Sequence, residues 1–511
     1  MRPNLSLVLG DFGKDIGEVT AVTIPFKRLD LSTSSRHGTS KTKTTQSLSS
    51  KPMKKQEQPI AADQRNLPVI NPNAAGIDIG ADRHWVSVPV DRDNESVRSF
   101  ACFTAELYAM ADWLKQCGIE TVAMESTGVY WIPVFQVLES RGFDVKLVNA
   151  HYVKTVPGRK TDVLDCQWLQ KLHSYGLLSG SFRPDDQTCV LRSYIRQRDN
   201  LIKSACVHVQ RMQKALTEMN LQLHRVISDI TGTTGLSIIK AIVAGERNPL
   251  SLAGLKDGRI KASLEEIAAA LTGDYRRELI FILQQELQLY EFYQAQILAV
   301  DAQIEQCLAS FAPKVDVTNQ PLAKPKRRGK KQPGNAPQFD LRTHLYRISG
   351  VDFTQIHGFG ALTVLILLSE LGLDPSRFPT VKHFTSWLGL CPGSRVTGGK
   401  VKSSRTRSVV NRAANAFRMA AQTLCRSHSA LGAYYRRMQA KMGAPKAITA
   451  AAHKLARIFY RLWTSGDTFI DSGVDAYEQH YQERVLKNLK KKAQAFGLEL
   501  IPISDPTQCV S

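Results

Sequence analysis

Two carboxylates three residues apart are the first residues in this chain whose type and spacing allow chemistry. Asp162 and Asp165 end the stretch Arg159-Lys160-Thr161-Asp162-Val163-Leu164-Asp165. The residues after them, Cys166, Trp168, Leu169 and Leu172, have helical spacing. Side chains three apart share one face of a helix, so both acids can aim at one point. Carboxylates that close raise each other's pKa unless a cation lies between them. Mg²⁺ resolves the conflict, because it prefers carboxylate oxygens and keeps positions open for phosphate. The plain alternative is a solvated helix start, where the helix dipole favours acids in any case.

The elements upstream supply two more acids. Ala75-Gly76-Ile77-Asp78-Ile79-Gly80 reads as an apolar strand interrupted by one acid, and Trp85 to Val90 as its hairpin partner. An acid in the middle of a buried strand is costly unless it is paired or bound to a metal. Phe103 to Gln116 has helical spacing, Thr121 to Glu125 is a strand ending in an acid, Tyr130 to Ser140 fits a helix and Asp144 to Val148 is a further strand. Strands lead, then strand and helix alternate, which predicts an α/β domain with a mixed sheet over residues 74–182. Acids on the first strand, on a later strand and on a following helix are laid out as in ribonuclease-H-like nucleotidyl transferases. There, two Mg²⁺ ions about 4 Å apart stabilise both the attacking and the leaving oxygen of a phosphodiester.

Composition narrows the partners. The chain has 511 residues and a formal net charge of +21, an excess that points to a polyanion, most often nucleic acid. Nine scattered cysteines with no C-x-x-C pair predict reduced thiols in a cytosolic compartment rather than a disulfide framework. No secretory leader is expected, and the most apolar run, Ala361 to Leu368, is too short to span a bilayer. The expected domains are an N-terminal extension (1–73), disordered apart from some strand-like alternation in Leu5 to Phe26, the α/β domain (74–182), a helical region (183–311), a basic flexible linker (312–340), a second compact unit (341–465) and a peripheral tail (466–511).

Periodic stretches over 190–220 and 276–308 predict an antiparallel helical pair, coiled-coil in character. The run Lys324 to Lys331 could touch phosphates or merely solubilise the linker. In the second unit, Gly358 and Gly360 open an apolar helix, either as a phosphate-holding turn or as a plain tight one. Cys391-Pro392-Gly393-Ser394-Arg395-Val396-Thr397-Gly398-Gly399-Lys400 reads as a Gly-rich loop.

Three segments together resemble a known family. Gly76-Ile77-Asp78-Ile79-Gly80, Met124-Glu125-Ser126-Thr127-Gly128-Val129-Tyr130-Trp131 and Lys160-Thr161-Asp162-Val163-Leu164-Asp165 are similar to the signatures of the DEDD transposases of bacterial insertion sequences. Leu388-Gly389-Leu390-Cys391-Pro392 and Thr397-Gly398-Gly399-Lys400 resemble that family's second domain. The resemblance implies a RuvC-like (RNase H-like) α/β domain, a helical dimerisation region and a mainly α C-terminal transposase domain. It implies that Asp78, Glu125, Asp162 and Asp165 hold divalent metal, two Mg²⁺ with Mn²⁺ as a substitute. It further implies a C-terminal hydroxyl that joins covalently to a DNA phosphate. Two dimers would form a synaptic tetramer whose sites take acids from one subunit and the hydroxyl from another. A structured bridge RNA would pair with donor and target DNA, and the protein would work in the bacterial cytoplasm at the nucleoid.

One position departs from the family pattern. Its nucleophile is a serine five residues after the motif's proline; here that residue is Thr397, whose hydroxyl is the same but more hindered. Ser394 is the second candidate, and Ser403 and Ser404 are nearby. Arg395, Lys400, Lys402, Arg405 and Arg407 surround Thr397 and are expected to bind phosphates and stabilise transition-state charge. Lys160 is expected to touch a phosphate or pair with an acid. Arg192, Arg196 and Lys203, in a basic run reaching Lys214, are expected to line a nucleic-acid path, unless they are simply the wet face of a helix. Two other functions use the same residues: a metal-dependent endonuclease or junction resolvase with water as nucleophile, and a decayed element protein that only binds RNA or DNA.

Overall fold

A computed structural model describes residues 67–126, 128–149, 162–324 and 335–500. Lys160, nearly all of the N-terminal extension, most of the Lys324 to Lys331 run and the last residues of the tail lie outside the described residues.

The apolar segments of the first domain form one five-stranded sheet. Its strands are β1 (Ala74–Ile79), β2 (Arg83–Ser87), β3 (Val97–Ala101), β4 (Thr121–Glu125) and β5 (Asp144–Val148), in the order β3-β2-β1-β4-β5. β1, β2 and β3 are antiparallel neighbours, whereas β4 and β5 run parallel to β1. This is the mixed sheet of an RNase H-like domain. Alternation along the strands divides the two faces. Ile77, Ile79, Val122, Met124 and Leu147 face helices α1 (Thr104–Gln116) and α2 (Trp131–Ser140), meeting Leu107, Met110, Leu114, Val134 and Leu138 in a closed apolar core.

The opposite face carries helix α3 (Asp162–Ser174). Here the chain contact is unusually close. A Cβ built on Gly76 would lie 2.4 Å from the Cys166 carbonyl oxygen and 2.2 Å from the Gln170 amide nitrogen. Glycine at this position therefore lets α3 lie directly on β1. The helix runs antiparallel to the strand, since Gln170 Nε2 donates to the Ala74 carbonyl at 3.4 Å. Leu169 packs with Ala123 and Val148 on the same face. At the far end His173 is buried and its Nε2 meets the Thr121 hydroxyl at 2.9 Å. Burial, with Lys146 nearby, lowers its pKa to about 4, so the ring is a neutral packing group.

Beyond α3, two long helices, α4 (Asp186–Glu218) and α9 (Arg277–Ser310), pack against each other. Asp185 caps α4 by accepting from the Thr188 amide at 2.8 Å. Buried Leu191, Arg198, Ala205 and Met212 recur every seven residues on α4, as Ile297 and Ile304 do on α9. That is the period of a coiled-coil seam. Buried Arg198 is hydrogen-bonded to Asp301 across it, so the one charged step in the α4 seam is matched. Between the long helices, α5 (Leu223–Val226), α6 (Thr233–Ala244), α7 (Pro249–Ala253) and α8 (Leu264–Ala270) close a small separate core around Ile238, Ile242 and Ile267.

The C-terminal unit is built of α10 (Leu341–Ser349), α11 (Ala361–Leu371), α12 (Val381–Trp387), α13 (Arg412–Thr423), α14 (Ala430–Met442) and α15 (Ala444–Ser465) around packed aromatics: Phe459 stacks with Phe353 and Phe384, and Phe417 meets Phe384 and Phe459 edge-on. Leu191, Ile304 and Leu308 join this core, which fuses the base of the helical pair to it. The 312–340 stretch, expected as a flexible linker, is held at its described parts: the Lys314 amide donates to the Arg347 carbonyl at 2.8 Å and Arg342 Nη2 to the Ala323 carbonyl at 2.7 Å. The region expected as a peripheral tail contains a further helix, α16 (Gly473–Ala495), whose tyrosines dock on α14 and α15. No helix among the described residues is long and apolar enough to cross a membrane.

The close approach at Gly76 generates the first prediction. Gly76→Ala forces α3 off β1 and costs about 2 kcal/mol or more, read as a lower urea midpoint. Gly180→Ala is the control: no atom lies within 4 Å of its added methyl, so its midpoint stays at the wild-type value.

Candidate active site

The register of the sheet sets where the acids fall. Gly76 lies opposite Ala123 and Ile77 opposite Met124 on parallel strands. One residue on, Asp78 and Glu125 are neighbours, and both point to the α3 side, because Gly76 and Ala123, two residues before each, face that helix. Two residues of strand advance about 6.6 Å and four of helix about 6 Å. Since Gly76 lies against Cys166 and the directions oppose, Asp162 comes level with Asp78.

Cys166 confirms the approach from the helix side. Its thiol is wholly buried and its pKa is pushed up to about 12, first by burial and next by the negative charge of Asp78, with Asp165 adding to it. Both acids therefore lie near the same sulfur. Glu125 is buried, at 6% exposure, Asp78 and Asp165 are half-buried, and Asp162 is exposed on the first turn of α3. Asp78 and Glu125 thus point to the α3 side of the sheet, and Asp162 and Asp165 lie on the first turn of that helix. Among the described residues no three acidic, histidine or cysteine side chains are close enough together to hold a metal ion. The donor chemistry fits a hard cation: the oxygens are carboxylate, and the nearby thiol stays protonated.

Thr397 lies in a different setting from the loop expected there. β6 (Arg395–Thr397) and β7 (Lys400–Ser403) form an antiparallel hairpin, with Thr397 opposite Lys400. Gly398 and Gly399 make the two-residue turn, both with positive φ, at 55° and 73°. A Gly-Gly pair between β-branched residues is a hairpin signal, and sequence reasoning missed it here. The hairpin is rooted by the Gly393 amide on the Arg405 carbonyl at 3.0 Å and by Cys391 Sγ on Thr385 Oγ1 at 3.0 Å. Its arms stand in solvent, with Val396 and Val401 more than half exposed. Thr397 and Ser394 are exposed, and Ser403 Oγ accepts from the Arg405 amide at 3.3 Å.

The basic residues divide into two groups. Arg395, Lys400, Lys402 and Arg405 project from the hairpin, and none of them pairs with a carboxylate among the described residues. Arg407 instead donates to the Ser386 carbonyl at 2.6 Å and to its hydroxyl at 3.0 Å, anchoring the hairpin to α12. Arg192 and Arg196 likewise do not line an open path. Arg192 donates to the carbonyls of Ser369 and Glu370 at 3.1 and 3.0 Å, and Arg196 reaches both Glu370 carboxylate oxygens at 3.0 Å. They bolt α4 to the end of α11. Glu370, 178 residues beyond Arg192 and 174 beyond Arg196, carried no sequence signal for this role. Lys203 remains exposed and pairs with Asp199, one turn away, at 2.8 Å.

Comparison with known proteins agrees with both halves of the molecule. Residues 75–221 match a family model described as Transposase, of the IS110 DEDD type. Residues 352–436 match the model of the Transposase IS116/IS110/IS902 family. The chain belongs to the IS110-type DEDD transposases. No curated protein matches the chain. The first match runs from β1 to just past α4 and so takes in all four acids; the second runs from before α11 into α14 and takes in the hairpin with Thr397. The transposase is a DNA-acting enzyme, and its family is divalent-metal-dependent.

The Glu370 lock separates structure from binding. Glu370→Gln leaves Arg192 half-buried without its counter-charge and lowers unfolding stability by about 2 kcal/mol or more. Lys203→Gln leaves stability within about 0.5 kcal/mol of wild type. Urea denaturation of the two variants checks both outcomes.

Proposed function

We propose that the transposase cleaves and exchanges DNA strands with Asp78, Glu125, Asp162 and Asp165 as the metal-binding acids and Thr397 as the nucleophile. The observation that carries this reading is the seating of α3 on Gly76, which sets the first turn of the helix against Asp78. The four acids would hold two divalent ions, Mg²⁺ or Mn²⁺, which would supply charge stabilisation at the attacking and leaving oxygens. Glu125, buried at the end of β4, is held in place by the sheet, whereas Asp162 reaches out from an exposed turn to meet substrate.

The Thr397 hydroxyl gives up its proton and bonds to a DNA phosphorus. The bond from that phosphorus to one DNA oxygen breaks, and this oxygen leaves as a hydroxyl. One phosphoester replaces another, so no energy source is consumed. Attack by the hydroxyl of a second strand reverses the step and completes exchange. Arg395, Lys400, Lys402 and Arg405 hold the flanking phosphates while this happens. An exposed hairpin is suited to reach DNA or a neighbouring subunit's acids.

A structured bridge RNA selects donor and target by base pairing, and the protein works where the DNA is, in the cytoplasm at the nucleoid. The chain acts as a homodimer that pairs into a tetramer. Support for the dimer comes from α9: Phe281, Ile282, Leu289 and Phe292 are exposed within about a third of the helix circumference, opposite its buried seam.

Cleavage assays with Mg²⁺ test the assignment. Asp162→Asn and Asp165→Asn lower strand cleavage by at least about a hundredfold, and Thr397→Ala abolishes the protein–DNA adduct while Thr397→Ser keeps it. Full cleavage by Thr397→Ala without an adduct contradicts the nucleophile and leaves a metal-dependent endonuclease using water.

A further inference from the structure

Away from the acids and the hairpin, three cations gather where α16 crosses the outer side of the C-terminal unit. Lys454 on α15 extends between two rings, its Nζ 4.4 Å from the centre of Tyr434 and 5.4 Å from that of Tyr477 on α16. Arg457 follows Lys454 by three residues and so stands on the same side of α15. Arg484 follows Tyr477 by seven residues and Tyr481 by three, so it shares the face of α16 that turns toward α15. Arg457 and Arg484 are exposed.

A neighbour shows how the fold neutralises such a charge when the charge is only structural. Arg437 lies 3.4 Å over the ring of Tyr481 and is paired with Glu478. Lys454, Arg457 and Arg484 have no carboxylate partner among the described residues. Lys454 is half-buried, and its ammonium is made less basic by burial first, then by Arg484 and Arg457. Three like charges held together on two helices repel, and a bound anion relieves that repulsion. The next turns of α16 extend the pattern with Lys487, Lys490 and Lys491, all exposed. His453 beside this cluster touches Cys391 at the hairpin root, Sγ to Nε2 at 3.8 Å, so the cluster is one step along α15 from the segment that bears Thr397.

We propose that Lys454, Arg457 and Arg484 form a phosphate cradle that seats a nucleic-acid backbone and leads it outward along α16. The ligand is a run of phosphodiesters, read as charge and not as sequence. The inference rests on the reading of this chain as a nucleic-acid-handling recombinase, and it adds a backbone contact outside both matched segments.

The test is fluorescence anisotropy of the full-length protein across a KCl series, with a fluorescein-labelled 30-base-pair DNA duplex and a labelled RNA hairpin as probes. Arg457→Gln combined with Arg484→Gln lowers the slope of log affinity against log salt by about 2 for the duplex, or somewhat less for the RNA, and weakens binding at least about tenfold. The affected probe names the source of the backbone. Lys261→Gln combined with Arg277→Gln removes the same charge from the helical region, at exposed positions away from α15 and α16, and leaves the slope unchanged. An equal loss in both double variants, or no loss in either, overturns the cradle. Asp162→Asn keeps wild-type binding while losing cleavage, which separates the cradle from the proposed catalytic acids. Wild-type protein that binds neither probe overturns the cradle and the nucleic-acid reading together.

Discussion

The contact on which the catalytic half depends is one of backbone on backbone. Gly76 has no side chain, so α3 settles onto β1 with the Cys166 carbonyl and the Gln170 amide where a methyl would otherwise be. Everything proposed for the acids follows from that contact. It fixes the helix direction, brings Asp162 level with Asp78 and buries the Cys166 thiol beside Asp78 and Asp165. The sheet contributes the rest passively, since parallel pairing of β1 and β4 makes Asp78 and Glu125 neighbours without any side-chain contact being needed.

The second constraint joins the two matched segments. α4 leaves the first domain and is clamped at its start to α11 through Arg192, Arg196 and Glu370, while Leu191 enters the C-terminal core. The helical pair is therefore rooted in the unit that bears the hairpin. Its far end carries a separate small core and an exposed apolar strip on α9. A rigid arm of about 50 Å fixed at one end suits a protein that must hold catalytic parts at set separations.

Much of this was legible in the sequence, for stated reasons. The period of two in β1 and the apolar runs of β4 and β5 gave the sheet, and the heptad-like spacing gave the long pair. The acids stand out in the sequence because an apolar strand seldom tolerates a carboxylate such as Asp78, and because Asp162 and Asp165 are spaced to share one helix face. Other features were hidden by the nature of the signal. Arg192 and Arg407 looked like phosphate ligands, because their partners, Glu370 and the Ser386 carbonyl, are distant or belong to the backbone. The hairpin reads as a loop in the sequence because its glycine content outweighs the β-branched residues Thr397 and Val401 that flank the turn. The helix α16 was lost in a charged tail, its docking face being marked only by Tyr477 and Tyr481. Lys160 and the basic run after Lys324 lie outside the described residues.

The central claim is that Asp78, Glu125, Asp162 and Asp165 form one divalent-cation surface. Crystals of the full-length protein soaked in MnCl₂ test it most directly, by anomalous scattering at the manganese edge. The account predicts anomalous density between the end of β1 and the first turn of α3, bound by oxygens of Asp78 and Asp162, and lost in Asp78→Asn. Manganese bound elsewhere, with Asp78 and Asp162 turned to separate partners, contradicts it.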